Sequence, residues 1–91
     1  MRIRWTQAAA ADLGQISEYL KRHRPSYRQS TMRKLYEDIR ALRQWPQRGR
    51  IGSELGTREL LFAPMPYVAV YRAKEQSIIE VVRIYNTAQD R

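Results

Sequence analysis

Few side chains in this 91-residue chain can do chemistry, and their types narrow the choice. There is no cysteine, and His23 is the single histidine. A zinc cluster, a disulfide framework and a Cys- or His-centred triad are therefore excluded, and no cofactor or metal is expected. What remains is mainly arginine and tyrosine, with a group toward the end of the chain: Arg58, Tyr67, Tyr71, Arg83, Tyr85, Asn86 and Arg91. An arginine stabilises negative charge that develops nearby, but it stays protonated and makes a poor base. A tyrosine phenol titrates near a reference pKa of about 10. Strand tyrosines usually pack and leave only the hydroxyl wet. These groups act together only if the fold brings them to one surface.

The stretch Thr57 to Asn86 must do that positioning. Arg58 to Phe62 reads as a strand ending at Ala63-Pro64-Met65-Pro66, where two missing N–H donors forbid a continuing central strand. Tyr67 to Arg72 is aromatic and β-branched, a polar turn follows over Ala73 to Ser77, and Ile78 to Tyr85 has the composition of a paired strand. Period 2 sorts this last strand into Ile78, Glu80, Val82 and Ile84 on one face and Ile79, Val81, Arg83 and Tyr85 on the other.

Upstream, Arg2 to Trp5 alternates polar and apolar and suits an N-terminal strand. Thr6 offers an N-cap hydroxyl to a helix whose Ala9, Leu13, Ile16 and Leu20 form one stripe, and Pro25 stops that helix. A second helix starts at once, with Ser26 and Gln29 at capping-box spacing and an apolar stripe of Met32, Leu35, Tyr36, Ile39 and Leu42 that closes near Pro46. Pro46 to Gly56 reads as a loop. The order β-α-α-β-β-β predicts an α+β domain spanning 1–91, in which a helical hairpin covers one face of an antiparallel sheet. The expected core joins Leu13, Ile16, Leu20, Leu35, Ile39 and Leu42 to Val70, Val82 and Ile84. The free face should carry Arg58, Tyr67, Tyr71, Arg83, Tyr85 and Asn86.

Size allows one core and no second domain. No signal-peptide h-region and no run of about 20 apolar residues occurs, so a cytoplasmic, membrane-free protein is expected. The net charge of +8 has a local origin. Residues 1–20 and residues 51–91 each sum to zero, and all of the excess lies in 21–50, where ten cations face only Glu37 and Asp38. Such a patch suits an anionic partner, although a solvated helix face would look the same.

The element order, with GTREL at 56–60, PYVAVYR at 66–72 and IIEVVRIYNTAQD at 78–90, resembles the RelE/ParE family of toxins from bacterial type II toxin–antitoxin modules. IRWTQAAAADLGQISEYL is similar to the family's opening. The resemblance implies one of two activities. RelE-like members cleave mRNA at the ribosome, using basic, His or Tyr groups on the open sheet face; ParE-like members poison DNA gyrase. The nuclease pattern places an Arg where Val68 stands and a His-Tyr pair where Asn86 and Thr87 stand. Cleavage through the RNA 2′-hydroxyl needs a proton acceptor, a proton donor and positive charge, and general acid–base groups contribute ~10²–10⁴-fold each. Val68 and Asn86 supply none of these.

The resemblance therefore implies a ParE-like gyrase inhibitor, with a ribosome-dependent endonuclease or a degenerate corepressor as alternatives. A nuclease would have only Arg58, Arg83 and Tyr85 to work with. Target binding is expected from Arg58, Tyr71, Arg83, Tyr85, Asn86 and Arg91, with Glu59 as a competing ion-pair partner for Arg83. The implied partner is a cognate antitoxin whose acidic, disordered C-terminal segment meets Arg28, Arg33, Arg40, Arg43, Arg48 and Arg50, and operator DNA is expected to be reached only through that antitoxin.

Overall fold

The computed structural model describes residues 1–75 and 77–88. Strand β1 (Arg2–Trp5) leads into helices α1 (Gln7–His23) and α2 (Pro25–Arg40), a 3₁₀ turn (Ala41–Arg43), and strands β2 (Arg50–Ile51), β3 (Arg58–Leu61), β4 (Tyr67–Lys74) and β5 (Ile78–Asn86). The strands form one sheet in the order β1-β5-β4-β3-β2. The α+β class and the helical hairpin agree with the sequence reading, but the sheet is mixed rather than wholly antiparallel. Strand β1 runs parallel to β5, pairing Arg2 with Ile78 and Trp5 with Val81. Parallel partners need a long crossover, and the two helices and three intervening strands provide it. The expected loop after Pro46 also contributes β2, paired with β3 through Arg50–Glu59 and Ile51–Arg58.

Local chemistry sets the helix ends. The Thr6 hydroxyl oxygen accepts from Ala9 N–H at 3.0 Å and so caps α1. The expected Ser26–Gln29 box is not used. Arg24 occupies the cap of α2 with no side-chain cap bond, and Pro25 takes the first helical position, where a missing N–H leaves nothing unsatisfied.

The six helix residues expected in the core are buried there, together with Ile84. Val70 and Val82 are only half-buried, and Leu60, Phe62, Tyr67, Ala69, Tyr71, Ile79 and Val81 complete the core instead. A bulge explains the exchange. Val70 pairs with Arg83 and Tyr71 with Val81, so Val82 is an extra residue without a partner. Alternation restarts beyond it, which turns Ile84 inward and Arg83 outward. Unbroken alternation would have pushed Arg83 into the core beside Val81. Among the described residues no helix is long and apolar enough to cross a membrane.

Candidate functional site

Strand β5 outruns its neighbour. β1 ends at Trp5 beside Val81, so from Val82 onward that edge of β5 has no strand to pair with, and α1 covers it instead. The Thr6 hydroxyl donates to the Val82 carbonyl at 2.8 Å. Nearly two turns further along the helix, the Asp12 carboxylate accepts from Ile84 N–H at 2.9 Å and from Arg83 Nε and Nη2 at 2.8 and 3.0 Å. Asp12 thus replaces the missing strand carbonyl, and its second charge-assisted contact draws the Arg83 guanidinium around the edge. The pairing, first by hydrogen bond and then by charge, raises the Arg83 pKa above its already high ordinary value. The alternative that Arg83 has a structural ion-pair partner holds, but the partner is Asp12 and not Glu59, which is taken by Arg50 at 2.9 Å.

Beside this pair lies a cleft of about 430 Å³, lined by Asp12, Gln15, Tyr19, Tyr67, Arg83, Tyr85 and Asn86 among others. It gathers four of the predicted groups, Tyr67, Arg83, Tyr85 and Asn86. Burial, with Tyr19 adding, raises the Tyr67 pKa, so near neutral pH its phenol is a hydrogen-bond donor and no base. Asn86 Oδ1 accepts from Ala88 N–H at 2.7 Å. Among the described lining residues Asp12 is the only carboxylate. Sequence reasoning missed Asp12, Gln15 and Tyr19; Asp12 is a polar residue flanking the apolar stripe of α1, the one signal that could have marked it.

Two predicted groups lie elsewhere. Tyr71 is 1% exposed; its hydroxyl donates to the Pro46 carbonyl at 2.8 Å and accepts from Gly49 N–H at 2.8 Å. Arg58 Nη1 donates to the Gln47 and Gly49 carbonyls at 3.3 and 2.8 Å. Both hold the loop after α2, and with Tyr67 and its register partner Asn86 they belong to the covered side of the sheet, not to the free face. Arg91 lies outside the described residues.

The free face keeps Arg83 and Tyr85 and also carries Arg2, Arg4, Arg50, Arg72 and Lys74 around Glu59 and Glu80, as the strand register requires. Glu80 bridges Arg4 at 3.2 Å and Arg72 at 3.0 Å. Its side chain is 10% exposed where that of Arg4 is 48%, so cations meet the solvent here although residues 1–20 and 51–91 each sum to zero. Val68, on the same face opposite Leu61 and Tyr85, is buried.

The six arginines expected to meet the antitoxin separate by role. Arg28 donates to Ser17 Oγ at 3.0 and 2.9 Å and ties α2 to α1. Arg50 is paired with Glu59. Arg33, Arg40, Arg43 and Arg48 are exposed, with Arg43 Nε donating to the Arg40 carbonyl at 3.3 Å. Among the described residues no three His, Cys, Asp or Glu side chains gather as a metal site.

A helical hairpin on a five-stranded mixed sheet, with an arginine-lined cleft at the end of the last strand, defines a small α+β toxin fold. The family model for the ParE toxin of the type II toxin–antitoxin system parDE matches residues 3–91, and the chain belongs to that family. It is similar to the Y4kP protein of Sinorhizobium fredii, 31% identical over 97% of this chain and 90% of the relative. It is also similar to Toxin RelE2 of Caulobacter vibrioides, 33% identical over 93% of each chain. Among solved structures, a chain of the chromosomal ParDE system from P. aeruginosa superposes with a TM-score of 0.84 at 28% identity, covering 94% of this chain and 95% of that one. Membership implies a cognate antitoxin as partner.

Proposed function

We propose that this toxin acts by binding DNA gyrase and stalling it, rather than by cutting RNA. The observation that carries the reading is the chemistry of the β5 cleft. Its carboxylate already holds three hydrogen bonds, its inner phenol is kept protonated, its arginine is fixed to Asp12, and buried Val68 stands where a nuclease would place a cation. Such a surface recognises a partner through charge and shape. Among the described residues it has no spare group to accept a proton at neutral pH. The names of the relatives divide between ParE and RelE, so the residues carry the choice.

Target contact falls to Arg83, Tyr85 and Asn86, which line the cleft, with Arg91 following them in sequence. A toxin of this kind acts in the cytoplasm. The antitoxin reaches the exposed arginines of α2 and the following turn, Arg33, Arg40, Arg43 and Arg48, through an acidic segment that folds on binding, and charge accelerates that association. A ribosome-dependent nuclease is the second reading, favoured by the cationic free face, which suits an RNA backbone.

The deciding experiment adds purified toxin separately to gyrase supercoiling reactions and to programmed ribosomes. Inhibited supercoiling with intact mRNA is the expected result; codon-specific cleavage with unaffected gyrase would overturn the reading. Arg83→Ala should weaken gyrase inhibition by about tenfold or more, as removal of a central arginine anchor does. Its melting temperature should move little, because Arg83 is largely exposed and Asp12 keeps the Ile84 N–H.

A further inference from the structure

Trp45 is 62% exposed, more than any other aromatic side chain among the described residues. A large indole in solvent is uncommon, and a flexible loop could fold it away. This loop cannot. The Trp45 N–H donates to the Ala41 carbonyl at 3.1 Å, and the Trp45 carbonyl accepts from Arg48 N–H at 3.1 Å. Tyr71 holds the Pro46 carbonyl, and Arg58 holds those of Gln47 and Gly49. Even the glycine is constrained, since a Cβ at Gly49 would lie 2.8 Å from both the Tyr71 ring and the Glu59 carbonyl. Two long side chains sent out from the strands thus fix a segment whose most apolar group faces water.

The indole borders a depression of about 630 Å³ lined also by Gln44, Pro46, Gln47 and Arg48. Charge around it has one sign. Arg40, Arg43 and Arg48 are exposed, and between Asp38 and Glu54 the sequence has no acid. The loop hangs on β3 and β4 through Arg58 and Tyr71, away from the β5 edge that forms the cleft.

We propose that Trp45 anchors a second contact surface, on which the toxin meets a folded protein face rich in Asp and Glu, that of its target. The proposal rests on the reading that the target is a folded protein, gyrase. Trp and Arg are the residues that concentrate binding energy at such interfaces, with the indole filling a pocket and guanidinium groups meeting carboxylates around it. Complementary charge matches an acidic face. A DNA duplex keeps its bases stacked and offers an indole nothing to stack on, so phosphate contact would not need Trp45. The antitoxin's acidic segment meets the same Arg40, Arg43 and Arg48 and so masks this surface while bound; for the free toxin, ordering costs fall furthest when the preorganised indole meets a face that is itself set beforehand.

The test measures binding of the full-length toxin to immobilised bacterial gyrase holoenzyme, with a 20-nucleotide single-stranded DNA as the second probe. Trp45→Ala should weaken gyrase binding by about tenfold or more, Trp45→Phe should retain most of it, and Arg48→Glu should slow association by about tenfold. All three should melt close to the unsubstituted toxin, since the replaced groups lie outside the core. If the unsubstituted toxin binds gyrase and Trp45→Ala and Arg48→Glu bind within about twofold of it, the inference is wrong and the gyrase reading stands. If Trp45→Ala loses affinity for the oligonucleotide alone, the occupant is nucleic acid and the proposal is overturned. Failure of the unsubstituted toxin to bind gyrase removes both readings.

Discussion

At the β5 edge, Thr6 and Asp12 of the helical side complete a strand whose neighbour has stopped; across the sheet, Tyr71 and Arg58 reach from strands to complete a loop. Both places lack backbone partners, but the missing partners differ. An orphan N–H at Ile84 is met by an anion, whereas orphan carbonyls at Pro46, Gln47 and Gly49 are met by donors. The consequences diverge. An anion at a surface attracts a cation, so the first edge recruits Arg83 and leaves a cleft beside it. Donors aimed inward at carbonyls close the second edge, and Trp45 is the apolar group that projects from it. The same need for hydrogen bonds therefore yields an open charged site at one edge and a rigid pedestal at the other.

Breaking the pedestal should have the larger effect on stability. Tyr71→Ala is expected to cost about 3–5 kcal/mol in urea unfolding, because it removes a fully buried ring as well as two hydrogen bonds. Tyr71→Phe isolates the hydroxyl and should cost about 2 kcal/mol; a loss below about 0.5 kcal/mol would show that the loop is held by other means.

At the other edge, Asp12→Ala should cost about 2–3 kcal/mol, since it orphans a buried N–H and leaves Arg83 unpaired. Asp12→Asn should cost less, about 1 kcal/mol, because the amide oxygen can still accept from Ile84. Equal losses from the two variants would mean that the ion pair, not the strand substitute, is what matters. Gly49→Ala should destabilise by about 1–3 kcal/mol, as both groups it would meet are anchored.

The smallest expected effect lies on the free face between the two edges. The Glu80 carboxyl is held below its ordinary value of 4.5, first by the Arg72 hydrogen bond and then by Lys74 and Arg4, with burial opposing. Folded Glu80 therefore binds a proton less readily than unfolded Glu80. Its contribution to stability is complete above pH 4.5 and is lost as pH falls through the lowered folded value. Melting temperature should drop on acidification in that window, and Arg72→Ala should flatten the drop. A slope unchanged by Arg72→Ala would assign the acid sensitivity to other carboxylates.

What could be read from the sequence follows the range of the interactions. The stripe Leu13, Ile16 and Leu20 and the Thr6 cap were legible because helix contacts repeat within a turn or two. The bulge was not, because one unpaired residue in Ile78 to Asn86 still looks like alternation, and only pairing with β4 shows where alternation restarts. Asp12 and Arg83 are 71 residues apart, and nothing local marks them as partners. Tyr71 and Arg58 looked like surface groups because their types are amphipathic; a loop in need of donors became visible only once its carbonyls had positions. Charge misled for a related reason. Zero sums over residues 1–20 and 51–91 are correct, but on the sheet acids lie beneath and arginines above, and summation has no depth.

The unpaired Val82 also governs how β5 tolerates changes of length. Removing a residue from a regular strand turns everything beyond it over, so a deletion at Ile79 or Ile84 would exchange inside for outside for the rest of β5. A deletion of Val82 would not. Val81 and Arg83 already face the neighbours Tyr71 and Val70, so joining them directly closes the ladder with every later side chain on its present face. The bulge is thus the one place in this strand where a codon can be lost without inverting the cleft. The penalty would fall on Thr6, whose hydroxyl would lose the carbonyl it now holds.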